Sequence, residues 1–195
     1  MPLLLLLVAV SLLAPSALAQ RGLLDRGTVQ LGGTVGFARL GGDLQANADG
    51  SRTSAVVLDP RFGFFLADRL ALGTTLAYET TSSNVTDTSI LTVGPNLSYY
   101  FGRPPRPFYP FVTALVGYSR ASTDFATPAG DPPLAFRASG FALGAGLGVL
   151  YLVSSRVGVT GEGFFQSAFY GSAEGVDTPT ANRFGLRLGA AVFLR

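Results

Sequence analysis

Apolar and polar side chains alternate with a period of two along most of the chain after residue 27, which is the pattern of a β-strand with two different faces. In the first run, Val29, Leu31, Val35 and Phe37 share one face, and threonine, glutamine and glycine occupy the other. Past residue 19, no segment has a helical period. The pattern predicts eight strands, at Thr28–Leu40, Ser54–Leu66, Leu70–Thr80, Ser89–Phe101, Phe108–Arg120, Arg137–Val153, Val157–Phe169 and Arg183–Arg195.

The connections between these runs alternate between long, polar segments and shorter ones. In chain order, beginning with a long one, they are Gly41–Arg52, Ala67–Arg69, Thr81–Thr88, Gly102–Pro107, Ala121–Phe136, Ser154–Arg156 and Gly171–Asn182. In an up-and-down antiparallel sheet, alternate connections emerge at the same end, so one end would collect all the long loops. An even number of strands places both chain termini at the opposite end.

The length and composition of the runs fit a barrel that is surrounded by lipid. Most runs are about 11–14 residues long, more than the ~9–11 that a tilted strand needs to cross a bilayer. Charged residues make up only 13% of the chain, and aromatic residues collect near the strand ends, as in interfacial girdles. An open sheet edge would leave backbone groups unpaired in hydrocarbon, so the sheet must close. The prediction is an all-β, eight-stranded antiparallel up-and-down transmembrane β-barrel.

Alternation alone does not say which face of a barrel points inward. A soluble barrel that carries a small ligand, as lipocalins do, would place the apolar face inside and the polar face outside. The low charge, the aromatic girdles and the polar minority face favour lipid outside. The lipocalin-like carrier is kept as the least favoured alternative.

The first nineteen residues have the features of a secretory signal peptide. Leu3–Leu13 is an apolar run too short for a membrane-spanning helix of ~20 residues. Small residues at Ala17 and Ala19 match the requirements of signal peptidase, which predicts cleavage before Gln20. The expected organisation is a signal peptide at 1–19 and one barrel domain at 20–195, exported to a bacterial outer membrane.

Residue types that are missing from the chain exclude several kinds of chemistry. There is no cysteine and no histidine, so disulfides, thiolate metal sites and histidine-dependent catalysis are excluded. All fourteen basic residues are arginines, and they are scattered singly, whereas a nucleic-acid binder concentrates them in a patch. Enzymes of the outer-membrane barrel type use histidine. The sequence therefore predicts no enzyme, cofactor, metal or nucleic-acid partner.

The most informative polar residues are six charges on the faces expected to point inward. Three are acidic and three are basic: Asp59, Arg61, Glu79, Glu162, Arg183 and Arg187. The interior of an eight-stranded barrel is only wide enough for its own side chains, and an unpaired buried ion is costly, so these groups are expected to pair. The favoured interpretation is a structural salt-bridge plug, and the alternative is a narrow, gated ion path.

Glycines and prolines add two local expectations. The alternate glycines Gly144, Gly146 and Gly148 fit the crowded inside of a narrow barrel better than a phosphate-binding loop. Pro60, Pro95 and Pro110 each remove a ladder donor from a predicted strand. Local bulges are expected at the three prolines.

The stretch Leu58–Gly73, LDPRFGFFLADRLALG, resembles the second-to-third-strand hairpin of the outer-membrane β-barrel family that includes the OmpX, OmpW and OmpA-barrel types. That family's C-terminal assembly signal ends in an aromatic residue, whereas this chain ends Val192-Phe193-Leu194-Arg195. The resemblance implies a monomer in contact with outer-membrane lipids, inserted by the barrel-assembly machinery. The resulting prediction is a non-enzymatic barrel with a structural or surface-interaction role. A narrow porin-like channel for small solutes or ions is the alternative, and the long loops indicate no particular surface partner.

Overall fold

The computed structural model describes residues 22–41, 54–82, 86–102, 106–125, 134–171 and 180–195. Within these ranges, no helix is long and apolar enough to cross a membrane. The predicted signal peptide lies outside them. The eight strands are β1 Val29–Gly41, β2 Ser54–Ala67, β3 Leu70–Ser82, β4 Thr86–Tyr100, β5 Phe108–Phe125, β6 Leu134–Leu152, β7 Val157–Tyr170 and β8 Thr180–Leu194.

The strands form one closed antiparallel barrel in which each pairs with its neighbours in sequence. Closure comes from β1 and β8, which pair from Val29 opposite Leu194 to Gly41 opposite Asn182. The predicted eight-stranded up-and-down architecture is thus confirmed. We call the end with the β2–β3 turn at 68–69 and the β6–β7 turn at 153–156 the turn end, and the other the loop end.

The two faces of the strands separate as the alternation predicts. Large apolar side chains such as Phe37, Leu58, Leu76 and Phe141 point outward and are exposed. The inward positions hold polar, charged and small residues together with buried apolar side chains such as Phe65, Leu150 and Phe193. Such an apolar exterior suits hydrocarbon and is the reverse of the arrangement that a lipocalin-like carrier needs.

The prediction that long and short connections alternate is wrong at one place. Only residues 83–85 lie between β3 and β4, fewer than the connection at 101–107 between β4 and β5. The polar segment that looked like a loop continues the ladder instead, with Ser82 opposite Asp87. Polar residues are compatible with a strand that projects beyond the lipid, where both of its faces meet water. For the same reason β6 reaches 19 residues.

The expectation of bulges at the three prolines is also wrong. Pro60 stays opposite Gly33 and Pro95 opposite Thr74, each in unbroken register, and Pro110 likewise faces Val149. In an antiparallel ladder a residue directs its N–H toward only one neighbouring strand, so each proline weakens one side and keeps the other. The shift of register lies between Phe65 and Ala67, beside the β2–β3 turn.

The turn end of the interior is filled by an apolar cluster that includes residues from before the first strand. We call this cluster the apolar seal; it comprises Leu23, Leu24, Phe65, Ala71, Tyr100, Tyr109, Phe111, Leu150, Leu152, Ala191 and Phe193. Residues 22–27, the N-terminal cap, fold across this end. The N–H of Arg69 donates to the carbonyl of Leu24 at 2.6 Å, and the N–H of Gly27 donates to that of Phe65 at 2.9 Å.

Candidate functional site

The six predicted lumen charges come from four strands and all point into the barrel. Asp59 and Arg61 lie on β2, Glu79 on β3, Glu162 on β7, and Arg183 and Arg187 on β8. Five of the residues are buried, and Arg61 is the least enclosed, with 16% of its side chain exposed. The structure divides them into a four-residue group and a separate pair.

The four-residue group, the lower charge cluster, consists of Asp59, Arg61, Glu162 and Arg187. Arg187 bridges the two carboxylates, with Nη1 2.7 Å from Asp59 Oδ2 and Nη2 2.7 Å from Glu162 Oε1. Arg61 bridges the same two, with Nε 2.8 Å from Asp59 Oδ2 and Nη1 2.9 Å from Glu162 Oε2. The result is a closed ring of alternating charges with no net charge.

Neighbouring side chains hold this ring in place. The guanidinium of Arg187 stacks over the Phe164 ring, 4.6 Å from its centroid, a geometry that favours a cation. Gly146 on β6 faces Glu162 from the adjacent strand, and a β-carbon there would collide with Glu162 Oε1. The absence of a side chain at Gly146 therefore leaves the space that the carboxylate fills. This outcome agrees with the expectation that alternate glycines relieve crowding inside the barrel.

The remaining pair, Glu79 and Arg183, is joined by a 2.6 Å bridge from Nη1 to Oε1. Hydrogen bonds from Arg183 continue through neutral side chains across the lumen. Arg183 Nη2 donates to Thr92 Oγ1 at 3.3 Å, and Gln166 donates to the same oxygen at 3.2 Å. Thr92 then contacts Ser119 at 3.1 Å, and Ser119 contacts the Tyr170 hydroxyl at 3.2 Å. This upper charge pair thus ties β3 and β8 to β4, β5 and β7.

Between the lower charge cluster and the apolar seal lie neutral polar groups of Gln30, Thr75, Asn96 and Tyr100, which we call the neutral polar belt. Asn96 donates to Thr75 at 2.7 Å, and the Tyr100 hydroxyl donates to Gln30 at 3.0 Å. A cavity of about 20 Å³ open to the centre of a water molecule borders this belt and Arg61, which is room for about one water. Arg61 Nη2 has no hydrogen-bond partner among the described residues.

The arrangement has the chemistry of a structural network. Within the described ranges, no group of three or more acidic side chains is placed to hold a metal ion. Each carboxylate of the lower charge cluster is already bound by two guanidinium groups. What the six residues do together is neutralise one another in a space that excludes most water.

Comparison with known families identifies the architecture. The family model described as "Outer membrane protein beta-barrel domain" matches residues 3–191. This chain belongs to that outer-membrane β-barrel family. The predicted family and the predicted outer-membrane location are both confirmed. No curated protein matches the chain.

Solved structures give the same fold at low sequence identity. Neisserial surface protein A matches at 17% identity and TM-score 0.65, covering 86% of this chain and 99% of that one. OprG from Pseudomonas aeruginosa matches at 16% identity and TM-score 0.59, covering 88% of this chain and 97% of that one. The attachment invasion locus protein of Yersinia pestis matches at 11% identity and TM-score 0.57, covering 87% of this chain and 99% of that one. The fold of this chain is therefore shared with outer-membrane proteins of low sequence identity.

Sequence reasoning found all six charges but missed the residues that support them. The supporting residues are Thr92, Ser119, Gln166 and Phe164, and nothing in their residue types distinguishes them from other residues of the strands. Their signal is the alternation itself, because each lies an even number of residues from an inward charge or glycine on its own strand. The residues of the N-terminal cap carried no comparable signal.

Proposed function

We propose that this barrel is a non-enzymatic scaffold of the outer membrane, closed along its axis, whose role is structural or consists of surface interactions at the loop end. The observation that carries the proposal is the sequence of layers inside it. From the turn end, the apolar seal is followed by the neutral polar belt, the lower charge cluster and the upper charge pair. A permeating ion or solute would have to pass all of these layers.

The energetics of the lower charge cluster support a closed interior. To open a path, Arg61 or Arg187 would have to leave carboxylates that are poorly hydrated. Separating a buried ion pair costs about 3–5 kcal/mol because it leaves an uncompensated charge, and here each arginine binds two carboxylates. The ring is also electrically neutral, so it has no excess charge that would attract one kind of ion.

Proteins with similar structures support a role outside the lumen. One neighbour is named as a surface protein and another as an attachment invasion locus protein, which was also solved with the heparin analogue sucrose octasulfate. In such barrels the longer loops face the outside of the cell. By this proposal, the loop end of the present barrel holds any surface for partners.

Planar-bilayer recording tests the proposal against a narrow porin-like channel. The refolded protein should give no stepwise current in 1 M KCl, and Arg187→Ala should not create a regular step. Arg156→Ala, at an exposed position in the β6–β7 turn, is the matched control. Reproducible unitary steps in the wild type, altered by Arg187→Ala but not by Arg156→Ala, would establish the channel function instead.

A further inference from the structure

The outer surface of the barrel carries a groove at β4, β5 and β6. It is shallow and open, and it is lined by Val93, Gly94, Pro95, Val116, Gly117, Tyr118, Ser139, Gly140 and Phe141. The three glycines occupy inward positions of their strands, so the part of the groove they line is bare backbone. The outward side chains of Val93, Val116, Tyr118 and Phe141 are exposed and apolar.

The cause of the groove lies in the local sequence. Pairing between β4 and β5 is interrupted at Gly94 and Pro95, between the Val93–Tyr118 and Asn96–Leu115 pairs. At Gly94 a β-carbon would meet the Val116 carbonyl and the Gly117 α-carbon, so the backbones approach closely there. The groove thus lies where the pairing of β4 with β5 is interrupted, and glycine backbone from three adjacent strands lines it.

Two arginines stand at the loop-end edge of this groove. Arg120 on β5 lies directly opposite Ser139 on β6, and Arg137 lies opposite Ser122. The two arginines are therefore diagonal neighbours on adjacent strands, where α-carbons are typically about 7–8 Å apart. Both side chains are exposed, and neither has an ion pair or hydrogen bond among the described residues.

Carboxylates nearby set the height at which an anion could bind. Asp87 and Asp124 face each other across β4 and β5, farther from the groove than the two arginines. Along β5, Asp124 lies two outward-facing positions beyond Arg120 and one beyond Ser122, the residue opposite Arg137. An anion is repelled from that level and attracted to the level of the guanidiniums. The positive site is therefore confined to the edge of the groove.

We propose that this surface binds one anionic lipid of the outer leaflet, with its phosphate between Arg120 and Arg137 and one acyl chain in the groove. Paired guanidiniums bind phosphate oxygens through charge-assisted hydrogen bonds, and the hydroxyls of Ser122 and Ser139 supply further donors between them. The groove opens on the lipid-facing surface of the barrel. Its apolar side chains can pack against an alkyl chain. Headgroup and chain sites are adjacent, as one lipid molecule requires.

Native mass spectrometry of the detergent-solubilised barrel tests the site. Dimyristoyl phosphatidylglycerol should bind the wild type at a stoichiometry of one, and dimyristoyl phosphatidylcholine more weakly. Arg120→Gln with Arg137→Gln should raise the apparent Kd for phosphatidylglycerol by about tenfold or more. Arg39→Gln is the matched control, since Arg39 is an exposed, outward arginine near the same end of β1.

A second variant tests the chain site separately. Val116→Trp fills the groove without changing charge and should also weaken binding, whereas Leu58→Trp, on the outward face of β2, should not. Unboiled gel migration shows that each variant is folded. Three results would overturn the proposal: unchanged affinity in the double arginine variant, equal weakening by Arg39→Gln, or a dimer of the barrel that Val116→Trp abolishes.

Discussion

Arg187 donates two parallel hydrogen bonds to Glu162 across the β7–β8 ladder, from Nε to Oε2 at 3.0 Å and from Nη2 to Oε1 at 2.7 Å. The two residues are directly opposite each other in register. Because the pairing of strands brings the groups together, the contact requires little rearrangement of long side chains. The bidentate geometry makes this the best-defined link in the lower charge cluster.

Removing one partner of this link should be more damaging than removing both. Arg187→Ala leaves two carboxylates with only Arg61, and we expect a loss of about 3–5 kcal/mol in the free energy of unfolding. Arg187→Met combined with Glu162→Gln should cost less than Arg187→Met alone, because the remaining Asp59 and Arg61 neutralise each other. Urea unfolding, followed by the fraction of protein that migrates as the compact form on unboiled gels, measures both. Additive losses would show that the two residues do not interact energetically.

Gly146→Ala should destabilise the barrel although it adds only a methyl group. The new carbon would collide with the Glu162 carboxylate, which two arginines hold in place. We expect a loss of about 1–3 kcal/mol, typical of overpacking. Gly163→Ala is the matched control: it faces outward on β7, and its β-carbon would meet Leu186 at an ordinary 3.6 Å. Equal unfolding midpoints for the two variants would contradict the tight fit at Gly146.

The N-terminal cap should contribute to stability without controlling conduction. Leu24 is 6% exposed within the apolar seal, so Leu24→Ala should cost about 2–5 kcal/mol. The exposed neighbour Arg26, changed to alanine, should have little effect, since only its backbone N–H contacts Asp68. Neither variant should conduct ions across a planar bilayer, because the lower charge cluster and the upper charge pair remain. A current that appears in Leu24→Ala alone would assign the barrier to the cap.

Export should produce a chain that begins at Gln20. Intact-mass measurement of protein purified from membranes should match residues 20–195, and Ala17→Arg with Ala19→Arg should leave the precursor uncleaved. Leu18→Ala, which preserves small residues around the site, is expected to be processed normally. A mature protein that retains residues 1–19 would disprove the predicted signal peptide.

Much of this molecule could be predicted because a barrel wall imposes a strict period. Each strand has lipid on one side and a crowded polar interior on the other, so alternation identifies both the strands and the inward charges, including Asp59 and Arg183. Pairing partners could not be predicted in the same way. Which carboxylate meets Arg187 depends on register, which alternation constrains only to steps of two residues.

The N-terminal cap shows where such reasoning ends. Leu23 and Leu24 have no periodic neighbours, and their burial depends on an apolar opening that only the assembled strands create. The prediction of bulges at the prolines is wrong for the opposite reason. A local rule predicted bulges, yet the ladder on the intact side of Pro60 and Pro95 held the register.

Closure between β1 and β8 has a consequence for how this protein is made. The partner of the first strand is the eighth, so any partly assembled sheet that lacks β8 has two unpaired strand edges. Contacts between the most distant parts of the chain form late and slowly. A chain truncated before β8 would leave the edge of β1 unpaired. Such an open sheet would be prone to aggregate in the periplasm.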